Sequence, residues 1–402
     1  MKLIKILLIS FVFSIYSVHA DEQSVEQNDE LQALIKSDLE LAQSQYKSLL
    51  NKARANSTAR LPRSFVNGIN TFVEYSDWTS GFFPGSHWYL YEYTHDEEWK
   101  AAAIEFSKIA EPAKLLKSHH DVGFILNSSF GNGYRLGVDQ DHYRDVLLTG
   151  ATTLITRFNP KVGAIKSWDN HSQWAYPVII DNMMNLELLT FAAKLSKDPY
   201  YKELAIKHAD TTLANHFRSD SSSYHVINYD PSTGSVISKQ THQGYSDSSA
   251  WARGQAWGLY GYTMMYRETK EVRYKEQAER IASFLINNPK MPNDKVPFWD
   301  LNDPSVPNAP RDSSAAAIMS SELELSQFVD KDLRDSYIDF AKRQIRTLSN
   351  QYFLAKPGEN GGFILKHATG HKPNNSEVDV PLNYGDYYYL EALLRLQKIL
   401  NH

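Results

Sequence analysis

The segment Thr241–Gly261, THQGYSDSSAWARGQAWGLYG, gathers groups suited to holding a small polar molecule. His242, Gln243, Asp247, Trp251, Arg253, Gln255 and Trp257 stand there among four glycines. The indoles of Trp251 and Trp257 are flat apolar faces, and the Arg253 guanidinium is a planar, permanently charged fork that fits a carboxylate. His242 and Gln243 supply directional hydrogen bonds. A sugar acid presents a C–H face, a ring of hydroxyls and one carboxylate, so this segment holds a partner for each. The same Trp and Arg side chains would also be at home packed inside a helical core.

Two carboxylates stand apart from the surface charges. Asp121 follows His119 and His120 and precedes Val122-Gly123-Phe124, while Asp181 follows Pro177-Val178-Ile179-Ile180 and precedes Asn182-Met183-Met184-Asn185-Leu186. An ionised carboxyl in such surroundings is costly unless paired. Burial, or a second carboxylate nearby, raises its pKa until it can donate a proton near neutrality. Paired carboxylates are the common machinery at glycosidic bonds. Either aspartate would serve equally as a helix cap, and a helix N-terminus would lower the pKa of Asp181 and oppose proton donation.

Other chemistries find no footing. None of the 14 His forms a helical His-x-x-x-His pair beside nearby carboxylates, and the adjacent His119 and His120 point to different sides, so no metal is expected. Gly131-Asn132-Gly133 lacks the Lys and Ser/Thr of a phosphate loop, and no Gly-x-Ser-x-Gly elbow occurs.

These groups need a scaffold, and the chain is long enough to build one. It has 402 residues, 42% hydrophobic and 22% charged, with 24 Tyr, 8 Trp and no Cys. Disulfides and thiolate chemistry are excluded, and a formal net charge of −5 leaves no electrostatic footprint for nucleic acid or an anionic membrane. Met1–Ala20 reads as a cleavable export signal: Lys2 and Lys5, an apolar run to Val18, then Val18-His19-Ala20. Asp21–Glu30 reads as a loose start. Export implies a bacterial periplasmic or secreted protein; the oligomeric state is not legible.

From Leu31 to the C-terminus, helical periodicity dominates. Leu31, Ile35, Leu39, Tyr46 and Leu49 mark one face of a first helix. Further helices are expected near 82–93, 97–117, 142–157, 179–195, 200–216, 250–268, 273–287, 314–328, 332–350 and 385–399. Tyr224–Asn228 and Ser235–Lys239 flank a turn and read as a hairpin on a loop, not as part of a sheet. Helical hairpins of about 50 residues fit either an open superhelix or a closed double ring of six inner and six outer helices. The aromatic and polar clusters fall at connectors and helix starts, where a closed ring would gather them round one pocket.

Taken in order, Asp77-Trp78-Thr79-Ser80-Gly81-Phe82-Phe83-Pro84-Gly85, His120-Asp121-Val122-Gly123-Phe124, Ile180–Leu186, Thr241–Gly261 and Asn375-Ser376-Glu377-Val378-Asp379-Val380 resemble the unsaturated glucuronyl hydrolases of glycoside hydrolase family 88. The resemblance implies an (α/α)6 barrel as a single catalytic domain over residues 31–402. It implies an enzyme without metal or organic cofactor that acts on the 4,5-unsaturated uronic acid left by polysaccharide lyases. There a carboxylic acid protonates C4, positive charge develops at C5, and water adds to it. The resulting hemiketal opens, and the terminal sugar is lost by rearrangement. The family's acid/base matches Asp181 and its second essential aspartate matches Asp121. Trp78, His120, His225, His242, Gln243, Trp251, Arg253 and Trp257 match pocket positions. By chemistry, Arg253 is expected to take the substrate carboxylate. Lys372 and Ser376 are candidates for sulfate or for the adjoining sugar. An unsaturated rhamnogalacturonyl hydrolase, a silent uronate-binding protein and an ordinary inverting hydrolase are the competing readings. The parent polysaccharide (glycosaminoglycan, ulvan or another) is open.

Overall fold

The structure, a computed structural model, describes the backbone of residues 2–58, 60–169 and 172–401, with side chains from Gln27 onward. Among the described residues, the helices of the inner ring are buried over most of their length, as enclosed elements must be. Phe82–Leu90, Ser313–Met319 and the run Ala252–Met265 are examples. Their partners bury a single stripe. Val272–Asn287 covers Tyr274, Gln277, Ala278, Ile281, Ala282 and Leu285, and Lys331–Leu348 covers Tyr337, Phe340, Ala341, Gln344, Ile345 and Leu348. The enclosed helices pack on one another in sequence round a ring, and each carries one amphipathic helix outside it. The closed double ring is therefore the architecture.

The last pair joins the chain's two ends. The helix Asn383–Leu400 lies in the inner ring, between Phe82–Thr94 and Ser313–Met319, and its outer partner is the long first helix Lys2–Ala55. Leu31, Ile35, Leu39, Tyr46 and Leu49 are all buried. Asp38 seals the seam by accepting hydrogen bonds from Tyr389 Oη (2.6 Å) and Ser349 Oγ (2.5 Å). The first helix continues through Asp21–Glu30, expected as a loose start; no Gly or Pro interrupts residues 1–55. The export-signal reading falls on residues whose side chains lie outside the described set. Among the described residues no helix is long and apolar enough to cross a membrane.

Several expectations are corrected. The 97–117 helix stops at Ala110 and tightens into a 3₁₀ turn, Glu111–Leu115, because Pro112 has no N–H to continue the ladder. The 314–328 helix divides into Ser313–Met319, Glu322–Leu325 and a 3₁₀ turn. Pro177–Ile179 is a strand rather than the start of a helix. It pairs with Val226–Tyr229, which pairs in turn with Val236–Gln240, so the expected hairpin belongs to a three-stranded sheet. Three further strand pairs went unpredicted, among them the short Phe158–Asn159 with Ala164–Ile165. Leu61–Val66 pairs with Ile69–Val73 through a positive-φ Asn67-Gly68 turn, and Ala368–His371 pairs with Ser376–Val380.

The largest omission is an inner helix. Val122–Leu126, a π-turn Asn127–Gly131 and Asn132–Arg135 run end to end. Gly123, Gly131 and Gly133 mask its periodicity, and Gly123 shows their use. A Cβ there would lie 2.5 Å from Asn185 Cα, and Asn185 Oδ1 accepts the Phe124 N–H at 2.9 Å. The segments that carry Asp121 and Asp181 are thus locked backbone to backbone. Gly123→Ala should cost about 1–3 kcal/mol by overpacking this contact. Chemical denaturation checks it, and an unchanged midpoint would mean that the two segments are not in tight contact.

Candidate active site

Asp121 stands at the N-terminus of Val122–Leu126, but its side chain makes no capping bond. Asp181 lies in the first turn of the 3₁₀ helix Ile180–Asn185, directly after the strand Pro177–Ile179. Neither carboxyl is used as a cap, and both are nearly buried.

Their surroundings separate them. Asp121 Oδ2 lies 3.0 Å from His119 Nδ1, and its Oδ1 lies 3.3 Å from His120 Nε2. Burial acts to raise the pKa of Asp121, but the flanking rings of His120 and His119 outweigh it, so the carboxylate is held below its ordinary value. Burial works against charge on His119 as well, yet Asp121 raises its pKa, and His119 Nε2 donates to Ser76 O at 2.9 Å. Asp181 has no such help. Burial lifts its pKa, Arg253 draws it back in part, and the charge on Asp121 lifts it again, to about 7. Its Oδ2 has no hydrogen-bond partner in the protein. One aspartate is an anion and the other a weak acid poised at neutrality.

The imidazoles round them are neutral donors. His225 Nδ1 accepts the backbone N–H groups of His242 (3.0 Å) and Gln243 (3.1 Å), which places the remaining proton on Nε2, 3.7 Å from Asp181 Oδ2. Burial holds its pKa well below the usual value. His371 repeats the device: its Nδ1 accepts the Asn374 N–H at 3.1 Å, and its buried Nε2 has no protein partner. Burial lowers His120 to about 4.

Aromatic rings wall the site. Trp251 meets His225 at 4.6 Å between centroids, and His242 meets His371 at 4.8 Å. Trp257 is fully buried against Phe124 (5.0 Å) and Tyr388 (5.4 Å) and forms a floor beside Asp181. Trp78 packs on Phe124 and Tyr384.

Arg253 is placed differently from expectation. It is 1% exposed, and its terminal nitrogens bond Asp312 Oδ2 (2.9 Å) and the carbonyls of Thr369 and Gly370 (both 2.5 Å). The fork expected to meet a substrate carboxylate is already engaged. It ties the strand Ala368–His371 to the inner ring and so delivers His371 to the site. Its charge still reaches Asp181. Gln243 contributes its backbone N–H to His225, and Ser376 is exposed on the outer strand of the same hairpin. Lys372 directly follows His371 at the hairpin tip. The hairpin's far strand is clamped by Glu377, which accepts two hydrogen bonds from Arg63 (2.6 and 2.8 Å) while Arg63 also holds Asp77 (2.6 Å).

Trp168 and Trp174 were not anticipated as site residues. Trp168 lies 5.9 Å from His225 and 5.4 Å from His242, and Trp174 lies 5.6 Å from His242. Two Trp six residues apart in a connector were the available signal.

A closed ring of helix pairs, with a carboxylic acid and a carboxylate set in an aromatic, histidine-lined recess, defines a glycoside hydrolase. No family model matches the chain. It is, however, 49% identical over 330 residues to an unsaturated glucuronyl hydrolase of Formosa agariphila, covering 82% of each chain. The chain belongs to the unsaturated glucuronyl hydrolases. A second relative, from Bacillus sp. (strain GL1), is 35% identical over 83% of this chain and 90% of its own. Among solved structures, an unsaturated glucuronyl hydrolase described as specific for heparin aligns with a TM-score of 0.86 at 46% identity, over 93% of this chain and 99% of its own. A mutant Streptococcus agalactiae enzyme complexed with dGlcA-GalNAc6S aligns at 0.76 and 29% identity, over 92% of both chains.

The raised pKa of Asp181 has a sign that stability measurements can read. The fold favours the protonated carboxyl, so this contribution is complete below its ordinary pKa and is lost as pH rises through about 7. Asp181→Asn should therefore gain on the wild type by about 1–3 kcal/mol between pH 5 and pH 9. A stability difference independent of pH over that range would place the ionisation of Asp181 elsewhere.

Proposed function

We propose that this enzyme removes the 4,5-unsaturated uronic acid from the non-reducing end of lyase-generated oligosaccharides by hydrating its double bond, with Asp181 as the acid. The observation that carries the reading is the inequality of the two carboxyls. Protonating an enol ether needs a neutral acid close to C4, and Asp181 is buried, has no hydrogen-bond partner on Oδ2 and is half-protonated near neutrality. As its proton passes to C4, positive charge spreads over C5 and the ring oxygen, beside the anionic Asp121. Water adds its oxygen to C5 and returns a proton to Asp181. The hemiketal so formed opens, and the glycosidic bond is lost in the rearrangement. His225 and His371 are placed to donate to sugar oxygens through Nε2, and the indoles to cover the sugar's C–H face.

Asp181→Asn should lower kcat roughly 10²–10⁴-fold with little change in substrate affinity. Loss of the conjugated uronate's ultraviolet absorbance follows the reaction. Heavy-oxygen water should label C5 of the released uronate, and label at its anomeric carbon C1 instead would mark ordinary hydrolysis. With wild type, kcat/KM should fall as pH rises above about 7, when Asp181 ionises.

For the substrate, we propose sulfated glycosaminoglycan fragments. The relative described as specific for heparin and the complex with dGlcA-GalNAc6S support this choice, as does Lys372 beside His371. Lys372→Ala should raise KM for sulfated disaccharides and leave unsulfated ones unchanged; equal effects on both would dispose of a sulfate contact. Work in the periplasm or outside the cell follows from the export-signal reading of Met1–Ala20, and cell fractionation tests it.

A further inference from the structure

Beside the active site lies a second concavity, of about 640 Å³, that the reaction does not use. Lys117, Arg157, Lys161 and Lys166 line it, with Asp169 as the one carboxylate among its lining residues. This is a local excess of positive charge on a chain whose formal net charge is −5.

The four cations have different tasks. Arg157 is buried and holds the rims together, bonding Asp169 (2.9 Å) and the carbonyls of Lys117 and Lys166. Lys166 Nζ shares Asp169 at 3.2 Å. Lys117 and Lys161 are exposed and form no ion pair among the described residues. Phe158 and Tyr176 add ring faces to the lining. Exposed ammonium groups over a partly apolar floor suit a sugar that carries an anionic substituent.

Short stretches of chain join the groove's lining to the catalytic wall. Lys117 precedes His119 by two residues, at most about 7 Å of chain. His119 forms a β-bridge with Trp168, and both neighbours face the site: His119 touches Asp121, and Trp168 meets His225 and His242. Lys166 precedes Trp168 by the same interval. An oligosaccharide whose end lies at Asp181 can thus follow these two segments into the groove.

We propose that this groove is a distal subsite for a sulfate- or carboxylate-bearing sugar of the oligosaccharide, beyond the residues that flank the cleaved bond. The proposal rests on the reaction assigned above. The test is the double variant Lys117→Ser/Lys161→Ser, assayed on an unsaturated disaccharide, a sulfated tetrasaccharide and a tetrasaccharide whose distal sugars are neutral. Expected is a rise of about threefold or more in KM for the sulfated tetrasaccharide alone, with kcat unchanged and the difference fading at high salt. An unchanged KM for that substrate, or an equal rise for all three, would overturn the subsite. A separate readout distinguishes failure of the reaction itself. If wild type turns over none of the three, the assigned chemistry fails, and calorimetric titration of the sulfated tetrasaccharide still decides the groove: weaker binding to the variant upholds it, equal binding removes it.

Discussion

The structure depends on keeping one carboxyl protonated beside another that is ionised. Water would level the two. In the recess, burial acts on both to raise their pKa values, but only at Asp121 is burial outweighed, by His120 and His119. At Asp181 burial prevails over the pull of Arg253, and the charge on Asp121 adds to it. Arg253 limits the effect, holding Asp181 near neutrality rather than far above it. The two roles therefore come from surroundings rather than from residue type.

That asymmetry needs the two segments to be adjacent, and the ring makes them so. Gly123 lets the chain after Asp121 press against Asn185, four residues beyond Asp181. The three-stranded sheet then sets the chain before Asp181 against the strand that follows His225. Outside the ring, the hairpin Ala368–Val380 brings His371 inward and is fixed at two points, by Arg253 on one strand and Arg63 on the other. Motifs far apart in sequence are thereby joined by charged hydrogen bonds.

Much of this was legible in the chain. Amphipathic outer helices such as Lys331–Leu348 announce themselves by a single apolar stripe, and both aspartates stood out because their neighbours are apolar or aromatic. The inner helix after Asp121 was not legible, since glycines chosen for close approach erase helical periodicity. The strand Pro177–Ile179 was absorbed into a helix because a short apolar run carries no period of its own. Arg253 was correctly brought into the neighbourhood of the site, but its fork was assigned to a substrate. Sequence shows that a guanidinium is available, not that Asp312 and two carbonyls from a hairpin more than 100 residues downstream already occupy it.

The seam of the ring has a consequence for how the molecule is made. The inner helix Asn383–Leu400 supplies Tyr388 beneath Trp257 and Tyr384 beside Trp78, and its outer partner is the very first helix. Without Asn383–Leu400 the first helix meets the inner ring through Tyr46, which packs on Phe83 and His87, and the remaining five pairs form an open arc. Closure then joins residues more than 300 positions apart, the contacts that are slowest to find. The apolar stripe of Leu31, Ile35 and Leu39 is thus fully covered only when the two ends of the chain have met.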